Sequence, residues 1–181
     1  MADETGQNNH QGLIRRLQSG DSNAFADFVR MYQQQVFLCC RTLGLNVDES
    51  EDVAGETFLA AYLGIKKFAG KSKLNTWLWK ITYNNAITYL RKKIRRQQFQ
   101  EKLQKEHTEQ ISDTTFTENG EFVWNAVKKL HADQAMAIVL YYREEKSVKE
   151  IAVIMRKNQN TVKINLFRGR QKLKELLADK F

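Results

Sequence analysis

Apolar residues return every three or four positions along most of this chain, the spacing that lines one face of an α-helix. From Asp21, the series Phe25, Phe28, Val29, Tyr32, Val36, Cys39, Cys40 and Leu43 predicts an amphipathic helix that Gly44 can close. A second helix follows. Asp48 with Glu51 three residues on reads as a capping box, and Val53, Phe58, Ala61, Tyr62, Ile65 and Phe68 carry its apolar contacts as far as Gly70. A third helix is expected from about Leu74. At about 100° per residue, Leu74, Trp77, Leu78 and Ile81 share one face while Trp79, Tyr83, Ala86 and Leu90 share another. Two apolar faces imply a helix packed on both sides, with a polar stripe of Lys73, Lys80, Asn84 and Arg91 between them. The register places Trp77 in the core and leaves Trp79 and Tyr83 open between core and surface.

The pattern then changes. Between Arg95 and Glu121 the apolar period is lost, and the polar runs Ser112-Asp113-Thr114-Thr115 and Asn119-Gly120 read as a linker. Loops of that length inside one compact domain are uncommon, so a domain boundary is expected there. A second helical unit starts near Glu121 with Phe122, Val123, Val127 and Leu130, and continues through Ala135, Ile138, Val139 and Tyr142. Ser147-Val148-Lys149-Glu150 is a capping box opening a short helix with Val148, Ile151, Ala152 and Met155 inward. After a tight turn, Asn158 caps a longer helix with Val162, Leu166, Gly169, Leu173 and Leu176 in register. Short helix, tight turn and longer helix form the helix-turn-helix plan. The expected fold is all-α: two small helical domains joined by a flexible linker, the C-terminal one containing a helix-turn-helix. The divisions are a disordered N-terminus (1–12), a first domain (13–97), a linker (98–120) and a second domain (121–181).

Charge gives these elements a direction. The chain of 181 residues carries a formal charge of +8, which points to a polyanionic partner. From Thr57 to Gln100 there is no Asp or Glu, while ten Lys and Arg are interleaved with Trp77, Trp79, Tyr83 and Tyr89. Such a surface suits phosphates and unpaired bases. From Arg156 to Lys174 there are seven basic residues and again no acid, fitting a helix that enters a major groove. The opposite sign is concentrated in Asp48, Glu49, Glu51, Asp52 and Glu56. They complement a helix N-terminus, and they exceed what capping requires, so a docking patch for a basic partner surface stays open beside the capping reading.

Other chemistries find no support. Adjacent Cys39 and Cys40 lack the spacing of a zinc site or a secreted disulfide framework. His10, His107 and His131 lie in unrelated contexts, and no nucleotide-binding or zinc-hydrolase motif is present, so no enzyme activity, cofactor, catalytic residue or metal site is expected. No run approaches a membrane span and the N-terminus lacks the plan of a signal peptide, which predicts a cytoplasmic protein without direct membrane insertion.

These residues also resemble a known family. F-A-D-F-V-R-M-Y at 25–32, E-S-E-D-V-A-G-E-T-F at 49–58, K-F-A-G-K-S-K-L-N-T-W-L-W-K-I-T-Y-N at 67–84 and Y-L-R-K-K at 89–93 resemble the second conserved region of extracytoplasmic function (ECF) sigma factors. L-H-A-D-Q-A-M-A-I-V-L-Y-Y at 130–142 and V-K-E-I-A-V-I-M-R-K-N-Q-N-T-V-K-I-N-L-F-R-G-R-Q-K-L at 148–173 resemble their fourth region. The resemblance implies a non-enzymatic transcription initiation factor that binds core RNA polymerase and promoter DNA and is held by an anti-sigma factor. It assigns Glu51, Asp52 and Glu56 to the polymerase. Lys71, Ser72, Lys73, Lys80, Asn84 and Arg91 fall to an unpaired base and its strand at the minus-ten element. Thr161, Lys163, Ile164, Phe167 and Arg168 fall to the minus-thirty-five element. The departures are Gly55, where the family usually has Gln, Arg156 in place of the Gly of the helix-turn-helix turn, Ile164 and Asn165 in place of Ser and Arg, and His131 in place of Pro. The alternative reading is a stand-alone helix-turn-helix regulator.

Overall fold

The structure, a computed structural model, describes the backbone of residues 3–103 and 121–178. Among these residues every regular element is helical: α1 (Asp3–Gln18), α2 (Ser22–Thr42), α3 (Val47–Gly64), α4 (Leu74–Leu103), α5 (Glu121–Lys128), α6 (Ala132–Ile138), α7 (Val148–Met155) and α8 (Gln159–Leu177). A 3-10 turn at Ile65–Lys67 follows α3, and a π-helical turn at Val139–Arg143 follows α6.

Local chemistry sets the helix starts. The Asp21 carboxylate accepts the Ala24 N–H at 3.0 Å and opens α2. The α3 capping box lies two residues upstream of the expected Asp48–Glu51 pair: Asn46 Oδ1 accepts the Glu49 N–H at 2.8 Å, and Glu49 Oε2 accepts the Asn46 N–H at 2.9 Å. Asn is as good an N-cap as Asp, and the earlier start gives α3 two more residues; Ser50 and Val53 lie on its buried side. The box at Ser147 and Glu150 and the Asn158 cap of α8 lie where the sequence places them.

Two cores form. Leu17, Phe28, Val36, Phe58, Ile65, Leu74 and Leu78 gather α1, α2, α3 and the start of α4. Helix α1 begins inside the segment 1–12 expected to lack structure. Leu13, Ile14 and Leu17 seat it on this core, and Gln18 Nε2 donates to the Phe68 carbonyl at 2.9 Å. Trp77 is partly buried against Phe68, with ring centroids 5.2 Å apart. Tyr62 differs from expectation: it packs edge-on against Phe25 yet stays 49% exposed.

The second core crosses the expected domain boundary. Cys39, Cys40, Leu43, Trp79, Tyr83 and Ala86 from the N-terminal half share one buried cluster with Val127, Met136, Leu140, Ile151 and Val162 from the C-terminal half. Both Trp79 (3% exposed) and Tyr83 (5%) are therefore buried, which settles their ambiguous register. Helix α4 continues six residues beyond 97, to Leu103. The rest of the expected linker lies outside the described residues, as do the side chains of Phe122 and Val123 and the whole of His107.

Candidate nucleic-acid interface

Helix α4 presents three sides. One packs on the first core and another on the shared core. Between them Lys80 and Asn84 are half-buried and Arg91 is exposed, while Lys73 stands exposed just before the helix. Positions 80, 84 and 91 are four and seven residues apart, which keeps them on one line along the helix. Lys71 is exposed and Ser72 half-exposed in the turn after Gly70, whose φ of +68° gives the chain its bend. The minus-ten candidates thus lie on a loop and a stripe along one helix. Lys93, on the opposite side, takes no part: its ammonium meets Glu49 Oε1 at 2.8 Å.

That ion pair also sorts the acidic cluster. Glu49 serves the fold, as cap and as partner of Lys93. Burial alone would raise its pKa, but Lys93 and the Asn46 N–H hold it below the usual carboxylate value. Asp48, Glu51, Asp52 and Glu56 are exposed on α3 and form no hydrogen bond or ion pair among the described residues. Asp52 and Glu56 continue directly into Leu59 (60% exposed) and Leu63 (69% exposed), so an acidic stripe becomes an apolar one. Sequence reasoning missed these two leucines; their absence from the inward series Val53, Phe58, Ala61 and Ile65 was the available signal.

In the C-terminal half, α7 and α8 are joined by Arg156 in the left-handed conformation (φ +52°, ψ +42°). The turn is the one glycine would make; arginine occupies it at a cost. Val162, Leu166 and Gly169 bury one side of α8. The opposite side presents Lys163, Ile164 (48% exposed), Phe167 (60%) and Arg168, with Thr161 half-exposed at its edge. All five minus-thirty-five candidates therefore occupy the N-terminal half of one exposed helix. Lys163 and Arg168 have no ion-pair partner among the described residues. Asn165 is half-buried, and its Nδ2 has no hydrogen-bond partner. Arg170 is held elsewhere: its Nε donates to Tyr142 Oη at 2.9 Å and its guanidinium lies over the Tyr141 and Tyr142 rings.

No group of His, Cys, Asp or Glu among the described residues has the arrangement of a metal site, and none of their helices is long and apolar enough to cross a membrane. Cys39 and Cys40 are buried free thiols. Burial pushes Cys39 well up and Cys40 to about 12, which leaves both poorly nucleophilic.

Comparison with known proteins agrees with this architecture. The family model for Sigma-70 region 2 matches residues 28–96, and that for Sigma-70 region 4 matches residues 123–173. The chain is 32% identical to the ECF RNA polymerase sigma factor SigW of Bacillus subtilis over 179 residues, covering 92% of this chain and 95% of the relative. It is also 32% identical to the ECF RNA polymerase sigma-E factor of Haemophilus influenzae, over 89% and 91% of the two chains. In fold it is similar to the sigma factor RpoE solved with the anti-sigma factor NepR from Bartonella quintana (TM-score 0.70, 24% identity, covering 87% of this chain and 98% of that one). It is likewise similar to CnrH solved with the cytosolic domain of CnrY (TM-score 0.68, 21% identity, 95% and 99%). Two family matches in the right order, on the two halves that carry the stripe and the helix-turn-helix, together with full-length relatives, show that the chain belongs to the ECF sigma factors of RNA polymerase.

Proposed function

We propose that this sigma factor binds core RNA polymerase through the outer face of α3, reads the minus-thirty-five element with α8, and opens DNA by holding an unpaired minus-ten base along α4. The observation that carries this reading is the sorting of charge by surface: acids without partners on the outer face of α3, and basic residues without acids from Thr57 to Gln100 and from Arg156 to Lys174. Glu51, Asp52 and Glu56 offer charge to a basic polymerase surface, and Leu59 and Leu63 offer the apolar area that charge alone does not supply.

At the minus-ten element the protein has no bond to make or break. A base leaves the stack at a cost of a few kcal/mol, which a fitted site and phosphate contacts offset. Lys71, Lys73, Lys80 and Arg91 supply the contacts to the strand, Ser72 and Asn84 the neutral hydrogen bonds to a base edge. On α8, Lys163 and Arg168 address phosphate or guanine, Ile164 and Phe167 meet apolar base edges such as thymine methyls, and Thr161 meets the backbone. By extension from the two solved relatives, an anti-sigma factor is the restraining partner, and the chain acts in the cytoplasm with the polymerase.

The test is reconstituted transcription with core polymerase on genomic promoter fragments, with Lys80→Gln and Asn84→Ala chains beside the unsubstituted one. The expected result is promoter-specific initiation that both substitutions weaken on duplex DNA and that a pre-melted minus-ten segment restores. No initiation from any fragment overturns the proposal. Tight operator binding without polymerase would instead favour a stand-alone regulator.

A further inference from the structure

Between α2, the start of α4 and the segment 143–146 after the π-helical turn lies an open cleft of about 360 Å³, within the size range of small-ligand sites. Met31, Tyr32 and Trp79 give it apolar lining, and the chain after the turn contributes four charged residues, Arg143, Glu144, Glu145 and Lys146. None of these residues belongs to the surfaces assigned above to polymerase or DNA.

Two of those charges are unsatisfied. Lys146 is only 9% exposed, yet its ammonium makes no hydrogen bond or ion pair among the described residues. A buried charge ordinarily has a partner, because losing its water is costly. Asp133, buried nearby where the two halves meet, follows that rule: it accepts from Tyr83 Oη at 2.6 Å, and its other oxygen meets Lys157 Nζ at 2.7 Å, a tyrosine–carboxylate–lysine bridge. The half-buried Glu144 does not, since its carboxylate has no hydrogen bond or ion pair either. Burial raises its pKa against the opposing pull of Arg143 and Lys146. Glu145 separates the two with a left-handed φ of +51°, a conformation that a residue with a side chain adopts at a cost and that recurs at ligand-holding segments. Glu144 and Lys146 thus line one cleft without pairing with each other.

The charge pattern selects the ligand. Two positive and two negative residues line the cleft, so a simple anion meets two like charges and a simple cation meets two others. An α-amino acid carries both signs on one carbon and satisfies Lys146 and Glu144 together. We propose that this cleft is a binding site for a free α-amino acid with an apolar side chain, its carboxylate on Lys146, its ammonium on Glu144 and its side chain against Met31, Tyr32 and Trp79. The Tyr32 hydroxyl and Asn75 Nδ2 line the same cleft without partners among the described residues and supply further hydrogen bonds. This site goes beyond the sigma-factor reading and gives the protein a small-molecule ligand that its nucleic-acid surfaces do not require.

The experiment is isothermal titration calorimetry of the full chain with L-leucine and L-phenylalanine. Each is compared with its analogue lacking the amino group (4-methylpentanoate, 3-phenylpropanoate) and its analogue lacking the carboxylate (3-methylbutylamine, phenethylamine). At least one amino acid is expected to bind, and its two analogues to bind tenfold or more weakly, because each leaves one charge of the cleft without its partner. Lys146→Met and Glu144→Gln should each weaken the amino acid by a similar factor. Because three segments of the fold wall the cleft, occupancy also raises thermal stability: at tenfold its Kd the ligand should raise Tm by about 3–6 °C, a shift that both variants reduce. Circular dichroism melting without ligand checks that each variant folds, and should Lys146→Met fail, Glu144→Gln and the analogues decide. The proposal is overturned if neither amino acid binds more tightly than about 10 mM, if an analogue with a single charge binds as tightly as its parent, or if binding is unchanged in the folded variants. All readouts use the chain without polymerase or DNA, so their failure leaves the sigma-factor reading intact.

Discussion

Gly55 offers a test in which structure and function predict separate numbers. It lies near the middle of α3, exposed, in helical backbone, and a Cβ built there would meet nothing within 4 Å. Replacing a mid-helix Gly by Ala gains about 0.8–1.0 kcal/mol of helix preference, with no clash here to subtract from it. If both halves melt as one unit through their shared core, that gain raises Tm by about 2–4 °C; if region 2 melts alone, by about 4–8 °C. Circular dichroism melting of the Gly55→Ala chain reads both the sign and the size. Gly55→Gln should stabilise nearly as well, and it adds the amide that the family usually carries at this position. Measured against Gly55→Ala, which controls for helix stability, Gly55→Gln is expected to bind core polymerase about 5–10-fold more tightly, the worth of one hydrogen bond. A fall in Tm for Gly55→Ala would refute the helical, open placement of residue 55. Equal polymerase affinity for the two variants would remove position 55 from the docking face.

Arg156→Gly should stabilise the chain by about 0.5–1 kcal/mol in urea unfolding, because glycine adopts the left-handed turn without the strain arginine bears and gives back part of that gain as chain entropy; a loss of stability would contradict the turn geometry. Arg168→Ala should cost about 1–3 kcal/mol of promoter affinity and relax one base position, whereas Lys163→Ala should weaken all sequences alike and lower the salt slope by about 0.9, both read by titration of polymerase–promoter complexes at several salt concentrations. Burial alone would raise the Asp133 pKa, but hydrogen bonds from Lys157 and Tyr83, aided by nearby His131, bring it below the usual 3.8. A lowered folded-state value contributes stability that is present above pH 3.8 and is lost as pH falls through the lowered value. Acid unfolding should therefore be less steep for Asp133→Asn than for the unsubstituted chain in that range, and identical slopes would show that the bridge does not form.

Much of this molecule was legible from periodicity and charge. The starts of α2, α4 and α7, the cap of α8 and the exposed basic faces of α4 and α8 follow from local patterns, because a helix reports its own register and its own cap. What remained illegible depended on neighbours. Trp79 and Tyr83 could be placed only once region 4 covered them. The α3 cap lies at Asn46 rather than Asp48, two residues that are about equally good N-caps, so local sequence did not separate them. Helix α1 is held by Leu13, Ile14 and Leu17, too short an apolar run to stand out from its polar surroundings. Leu59 and Leu63 went unnoticed because an exposed leucine has the same letter as a buried one.

Glu49 ties two helices together. Its carboxylate closes the N-terminus of α3 and grips Lys93 with both oxygens, at 2.8 and 3.1 Å, so the start of α3 is fastened to the far half of α4. Helices α3 and α4, proposed above to meet polymerase and the melted strand, are thus braced at that end as well as through their common core. On the proposed function, region 2 acts as a ruler: the offset between the outer face of α3 and the polar stripe of α4 is built into the protein as a fixed length.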